Sequence, residues 1–169
     1  MKRIPTSVLL KATNEPVAAS LIEGVNHEML EKTELAWAAL RIEGAKQLCA
    51  AGSEVPQHWH WDWRRKSANI NLLAYQCFGI ECDAEIQGLM LVNVTNHVSR
   101  MDVQRGKPLV YVDYLEAAPW NVKDLTSEPP RYKGVGIRLI EAAIRFSLAE
   151  GFGGLNRIAA SINLIPTPL

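Results

Sequence analysis

The pattern of apolar and polar positions divides the chain into a short strand, a long helical region, a strand meander and a final helix. Residues 6–11 (TSVLLK) read as the first strand, closed by Asn14 and Pro16, with a loop continuing to about Asn26. From 28 to 51 the period is helical. Met29, Leu30, Leu35, Trp37, Leu40 and Leu48 supply its apolar positions, and Glu31, Lys32, Arg41, Glu43, Lys46 and Gln47 its polar ones. Gly44 is placed to split this stretch into two helices, and Gly52 suits its end. Residues 53–66 read as a loop rich in Trp and His. Two strand-like runs, 71–82 and 85–94, meet at Asp83-Ala84 with the spacing of an antiparallel hairpin. A turn region at 100–108 leads to an apolar strand at 109–117, and a polar, Pro-containing loop at 119–130 leads to an amphipathic helix at 135–150. On that helix Arg138, Glu141 and Arg145 form a polar stripe, with Leu139, Ile140, Ala143, Phe146 and Ser147 on the other side. Gly151, Gly153 and Gly154 stop it.

Length and charge narrow the function classes. A chain of 169 residues is long enough for one domain with a sizeable core, so a single domain over 1–169 is expected. Eighteen basic residues balance eighteen acidic ones, which gives no electrostatic reason for a nucleic-acid partner. No run of about 18 apolar residues occurs, so no membrane span is expected. The basic N-terminal segment precedes too short an apolar run for a signal peptide. Cys49, Cys77 and Cys82 form no CxxC pair, so reduced thiols in a cytoplasmic protein are expected rather than a disulfide framework or a zinc site.

The chemistry-bearing segment is Arg131-Tyr132-Lys133-Gly134-Val135-Gly136, between the 109–117 strand and the last helix. Glycines at a helix mouth let backbone approach a ligand closely, and the free N–H groups of the first turn favour an anion such as a pyrophosphate. A P-loop would need GxxxxGK[ST], which is absent. A dinucleotide fingerprint would need a third glycine where Leu139 stands, and a parallel βαβ unit where the strands read as an antiparallel meander.

The segment resembles the pyrophosphate signature [QR]-x-x-G-x-[GA] of the GNAT superfamily of acyl-CoA-dependent N-acetyltransferases. Leu115-Glu116-Ala117-Ala118-Pro119 is similar to the L-x-V-x-P that often ends that family's central strand, with Ala in place of Val. The order of elements fits as well. The resemblance implies an α+β fold, with a mixed, mainly antiparallel central sheet flanked by helices. It implies acetyl-CoA as co-substrate, no metal, and acetyl transfer to a primary amine of a small molecule or peptide by direct attack. Backbone groups of Leu115 and Ala117 would pair with the pantetheine arm and polarise the thioester. Arg131 opens the signature, and backbone N–H groups of Tyr132, Lys133, Gly134, Val135, Gly136 and Ile137 would cradle the pyrophosphate. A carboxylate, directly or through water, removes the amine proton. The family often has an acid four positions before the strand's Leu, where this chain has Tyr111. Asp113 shares that residue's face and is the first candidate base. Glu116 has the opposite parity, and a bulge near Leu115 would turn it toward the site. For each, a salt-bridged strand carboxylate is the competing reading.

His58-Trp59-His60-Trp61-Asp62-Trp63 invites two further readings. In an extended segment alternate residues point the same way, so His58, His60 and Asp62 could hold a metal, as in a hydrolase; no second His/Cys cluster supports this. The Trp side chains either pack the loop or form a wall of the acceptor site, with Trp61 and Trp63 as contacts. Trp120 and Asn121, just past the strand end, are further acceptor candidates. The C-terminal part departs from the family: residues 155–169 offer one strand at 156–165, then Pro166 and Pro168, in place of the usual further strands. No tyrosine follows Tyr132, so the thiolate-protonating acid is left to Tyr111, Tyr114 or water. A catalytically impaired CoA-binding remnant or an interaction module is therefore the alternative function, and an open sheet edge suggests a homodimer.

Overall fold

The computed structural model describes residues 1–152 apart from Asn96 and Met101. Nine elements follow in chain order: β1 (Lys2–Leu10), β2 (Pro16–Glu23), α1 (His27–Ala50), α2 (Trp63–Lys66), β3 (Tyr75–Cys82), β4 (Glu85–Asn93), β5 (Tyr111–Ala117), β6 (Tyr132–Lys133) and α3 (Val135–Ala149). The six strands form one sheet in the order β5-β4-β3-β2-β1-β6, and every pairing is antiparallel. The expected α+β architecture is present. The 156–165 strand lies outside the described residues.

The loop expected before Asn26 is instead β2, paired with β1 along its whole length from Leu9↔Pro16 to Lys2↔Glu23. Pro16 stands at the first position of the strand, where its missing N–H costs little. The connecting turn uses Asn14 at φ +59°, a conformation Asn tolerates. The β3–β4 hairpin forms as expected, with Asp83 and Ala84 both at positive φ in its two-residue turn.

α3 packs on one face of the sheet and α1 with α2 on the other. β4 is buried on both faces, which is why its 89–92 stretch (LMLV) is apolar at every position. Its Met90 and Val92 join Leu21, Phe78, Val112, Leu139 and Ala143 on the α3 side, while Leu89 and Leu91 join Leu30, Trp37, Trp63 and Trp120 on the α1 side. α1 is capped by Asn26, whose side chain accepts from the Met29 N–H. It runs unbroken through Gly44, because that glycine serves a close approach. A Cβ there would overlap the Leu125 carbonyl and lie 2.8 Å from Leu125 Cδ1. The inner face of α1 also differs from the apolar pattern. Leu35 is 69% exposed, whereas Glu34 and Arg41 are buried beside Leu30, Trp37 and Ala45.

Candidate active site

The site lies where β5, the mouth of α3 and the 57–66 segment converge. β5 carries an irregularity: Leu91 pairs with Tyr114 and Val92 with Val112, which leaves Asp113 as the extra residue of a bulge. The bulge expected near Leu115 thus sits at Asp113. It reverses the alternation of side chains, so Val112 and Leu115 both pack toward α3, while Tyr114 and Glu116 project toward α1 and α2. On its other side β5 has no strand partner among the described residues. The Ala118 N–H donates to the Gln87 carbonyl of β4. Backbone groups alternate in direction along a strand, so Glu116 turns to β4 and Leu115 and Ala117 turn to the free edge.

Two carboxylates stand on this strand in different states. Asp113 is half-buried, and burial raises its carboxyl above the ordinary value, against the pull of His97 and Lys66. Glu116 is 1% exposed. Its Oε1 accepts from the Arg41 guanidinium at 3.0 Å and its Oε2 from Trp63 Nε1 at 2.6 Å. Arg41 also donates to Glu34 Oε1 at 2.6 Å and to the Trp61 carbonyl, and Glu34 Oε2 accepts from the Trp63 N–H. Burial pushes the Glu116 carboxyl up to about 7, with the Arg41 charge and the bonds from Trp63 and Arg41 opposing the rise. Glu116 therefore acts as a strut between β5, α1 and α2. Trp63, expected as an acceptor contact, is fully buried and spends its indole N–H on that strut.

Trp61 is half-buried and open to a cleft of about 500 Å³, lined by Arg41, His60, Lys66 and Tyr114 among others. Its ring meets Tyr114 edge-on at 5.0 Å. Residues 57–60 form a turn, so His58, His60 and Asp62 do not alternate as in an extended segment. Asp62 caps α2 through the Arg64 N–H and pairs with Arg64 and Arg65. No group of three metal-ligating side chains comes together among the described residues. Tyr111 stacks on His97 at 4.3 Å.

The glycine segment divides in two. Its first half is pinned. The Arg131 N–H donates to Trp120 O, and the Arg131 carbonyl accepts from the Lys11 N–H. Tyr132 pairs with Leu10 of β1, and its N–H is already taken by Asn121 Oδ1 at 3.0 Å. Its hydroxyl donates to Asp83, which raises the phenol pKa. Lys133 Nζ donates to Asn14, and Arg131 faces Glu85 at 3.4 Å. The second half is open. Gly134 has φ +84°, a Cβ there would meet nothing within 4 Å, and one at Gly136 would meet only Leu115 Cδ2 at 3.8 Å. No side chain caps the first turn of α3, so the N–H groups of Val135, Gly136 and Ile137 are free to receive an anion. Of the segment's backbone donors, those of Arg131 and Tyr132 are thus already engaged.

Gln87 and Gly88 of β4 hold this mouth beside β5, a role that composition and periodicity do not mark. Buried Gln87 accepts from Trp120 Nε1 at 2.8 Å and from Asn121 Nδ2 at 3.0 Å. The two expected acceptor contacts thus tie the 118–121 turn to the sheet. A Cβ on Gly88 would come within 2.5 Å of Val135 Cγ1 and 3.1 Å of Leu139 Cδ1, so only glycine lets α3 sit this low on the sheet. Leu115 and Gly136 meet as a result.

No family model matches the chain, and no curated protein matches its sequence. Solved structures do match. The BH1408 protein of Bacillus halodurans is similar over 79% of this chain and 77% of its own, at 11% identity and a TM-score of 0.50. An aminoglycoside N-acetyltransferase in complex with CoA aligns over 86% and 82%, at 14% identity and a TM-score of 0.48. A ribosomal-protein-alanine N-acetyltransferase from Brucella melitensis biovar Abortus 2308 aligns over 80% and 75%, at 14% identity and 0.44. At these identities the likeness concerns the fold and leaves activity open. The shared fold is an antiparallel sheet held between helices.

Proposed function

We propose that this chain transfers an acetyl group from acetyl-CoA to a primary amine of a small molecule or peptide, by direct attack of the amine on the thioester. One observation carries the reading: an uncapped, glycine-lined helix mouth abuts the free edge of a bulged strand, beside an aromatic-lined cleft. Val135, Gly136 and Ile137 would hold the pyrophosphate on their N–H groups, with the missing Cβ atoms of Gly134 and Gly136 leaving room for it. The outward backbone of Leu115 and Ala117 would take the pantetheine arm as an added strand takes a sheet edge. The thioester would then face the cleft over Tyr114 and Trp61. Asp113 is the base in this reading, since Glu116 is committed to Arg41 and Trp63. That same commitment favours the second reading, CoA binding without turnover.

Titration calorimetry with acetyl-CoA and with CoA tests the cofactor site. Micromolar binding that Gly136→Trp abolishes is expected, and unchanged affinity in that variant would remove the pyrophosphate assignment. Amine-dependent, saturable release of CoA then separates the two readings: an enzyme releases it, and a CoA-binding remnant does not. Self-association through an open sheet edge, away from the backbone of Leu115 and Ala117, is proposed as well, and a stable monomer across a dilution series would exclude it.

A further inference from the structure

Lys66, the last residue of α2, has an unusual place for a lysine. Its ammonium sits 3.3 Å above the centre of the Tyr114 ring and 4.7 Å from that of Trp61, with Trp63 at 6.0 Å. Among the described residues no carboxylate forms an ion pair with it. Glu116, Asp62 and Glu34 act on it only at longer range, and Arg41 opposes them. A cation held by ring faces has exchanged most of its hydration for a weak, directional attraction. Lys66 also lines the open cleft. Exposed lysines such as Lys32, Lys46 and Lys123 stay in water by comparison.

We propose that Lys66 is itself an acyl acceptor, a self-acylation site that takes the acyl group of an acyl-CoA thioester bound at β5. The inference rests on the function proposed above, because it needs the thioester to lie along Leu115 and Ala117. Tyr114, over whose ring the ammonium sits, directly precedes Leu115 in β5, which sets the nucleophile one residue's side chain away from the strand that would hold the thioester. Burial lowers the Lys66 pKa to about 8, so an appreciable share of neutral amine exists in mildly alkaline solution.

The chemistry balances with no further reactant. The ammonium first loses one proton to solvent. The lone pair on Nζ attacks the thioester carbonyl carbon, the N–C bond forms and the C–S bond breaks. CoA departs as thiolate and takes up the second proton from nitrogen. The products are acyl-Lys66 and free CoA. The amide has no charge, so the attraction to Tyr114 and Trp61 is lost, and the acyl group occupies the cleft.

The test incubates the full chain with isotopically labelled acetyl-CoA, without any amine, and maps the label by peptide mass spectrometry. Calorimetry on the same preparation reads CoA binding independently. One acetyl group per chain is expected at Lys66, at least tenfold faster than at Lys32, Lys46 or Lys123. Lys66→Arg, which keeps the charge, should lose that label while retaining CoA binding and a native circular dichroism spectrum. Gly136→Trp should lose both binding and label. Label spread evenly over exposed lysines, or an equal rate in the urea-unfolded chain, would overturn the inference as ordinary chemical acetylation. CoA binding with Lys66 unlabelled would overturn it and leave the cofactor site standing. Absence of CoA binding by a folded chain would overturn both.

Discussion

Glu116 shows how one residue sets a pH response. Its carboxyl rises from the ordinary 4.5 to about 7 because it is buried. The folded chain then binds more protons than the unfolded chain between those values, so this group's contribution to stability falls as pH rises from about 4.5 to about 7 and is flat above. Asp113 is raised as well and acts in the same direction. His58 is lowered by burial, so its contribution rises with pH up to about 6.5 and opposes them. The difference between native chain and Glu116→Gln isolates the first effect. Urea midpoints at several pH values should show the native chain losing on the order of 1–3 kcal/mol relative to the variant across that window. Parallel curves would mean that Glu116 is ionised throughout. Glu116→Ala should cost about 3 kcal/mol or more in urea unfolding at neutral pH, because Arg41 and the Trp63 indole lose a buried partner. A loss below about 1 kcal/mol would contradict the strut. Asp113 was legible as a strand carboxylate on β5. The strut was not, because a charged residue in a helical pattern reads as solvated. The signal that could have found it is the spacing Leu30, Glu34, Trp37, Arg41, Ala45, which repeats every three to four residues and lines one face.

At the scale of elements, α1 is held to the 118–131 segment through Gly44. Gly44→Ala sets a methyl group against the Leu125 carbonyl, and the segment has to move. A loss of about 2 kcal/mol in urea unfolding is expected, from overpacking rather than helix propensity, which favours Ala. Increased stability would mean that the segment yields freely. The same position explains an error of sequence reading: glycine suggests a helix break, yet here it marks a close crossing. β2 was missed for another reason. Its core reads Ala18, Ala19, Ser20, small side chains that weaken the apolar alternation, and Pro16 at its start resembles a loop signal. The hairpin at Asp83-Ala84 and the helix after Gly134 were legible, because turn spacing and amphipathic period are local properties.

The whole molecule links ligand and fold. If the cradle at Gly134 to Ile137 binds CoA only in the folded state, stability should rise by about 2.7 kcal/mol at a ligand concentration of one hundred times Kd. Thermal melts with and without CoA read this directly, and Gly136→Trp should erase the shift without lowering the melting temperature of the free chain. A shift that persists in the variant would place CoA elsewhere. The general architecture was legible because strand, helix and turn signals occur in an order that few folds share. The placement of the cradle was not, because it depends on Gln87, Gly88 and the bulge at Asp113, which join residues far apart in sequence.

One pairing bears on how the protein comes into being. β6, which leads into the cradle, lies against the end of β1, with Leu10 beside Tyr132. β1 thus pairs with the segment that presents the helix mouth across more than a hundred residues of intervening chain, and is synthesised well before it. Such distant partners meet late, since the long loop has to close before their contacts repay its entropy. During synthesis a nascent chain can pair β1 with β2 but lacks the open mouth of α3 until the segment past Tyr132 has emerged. In the function proposed above, competence to bind CoA would then wait on that pairing, and a clip near residue 10 would abolish it from more than a hundred residues away.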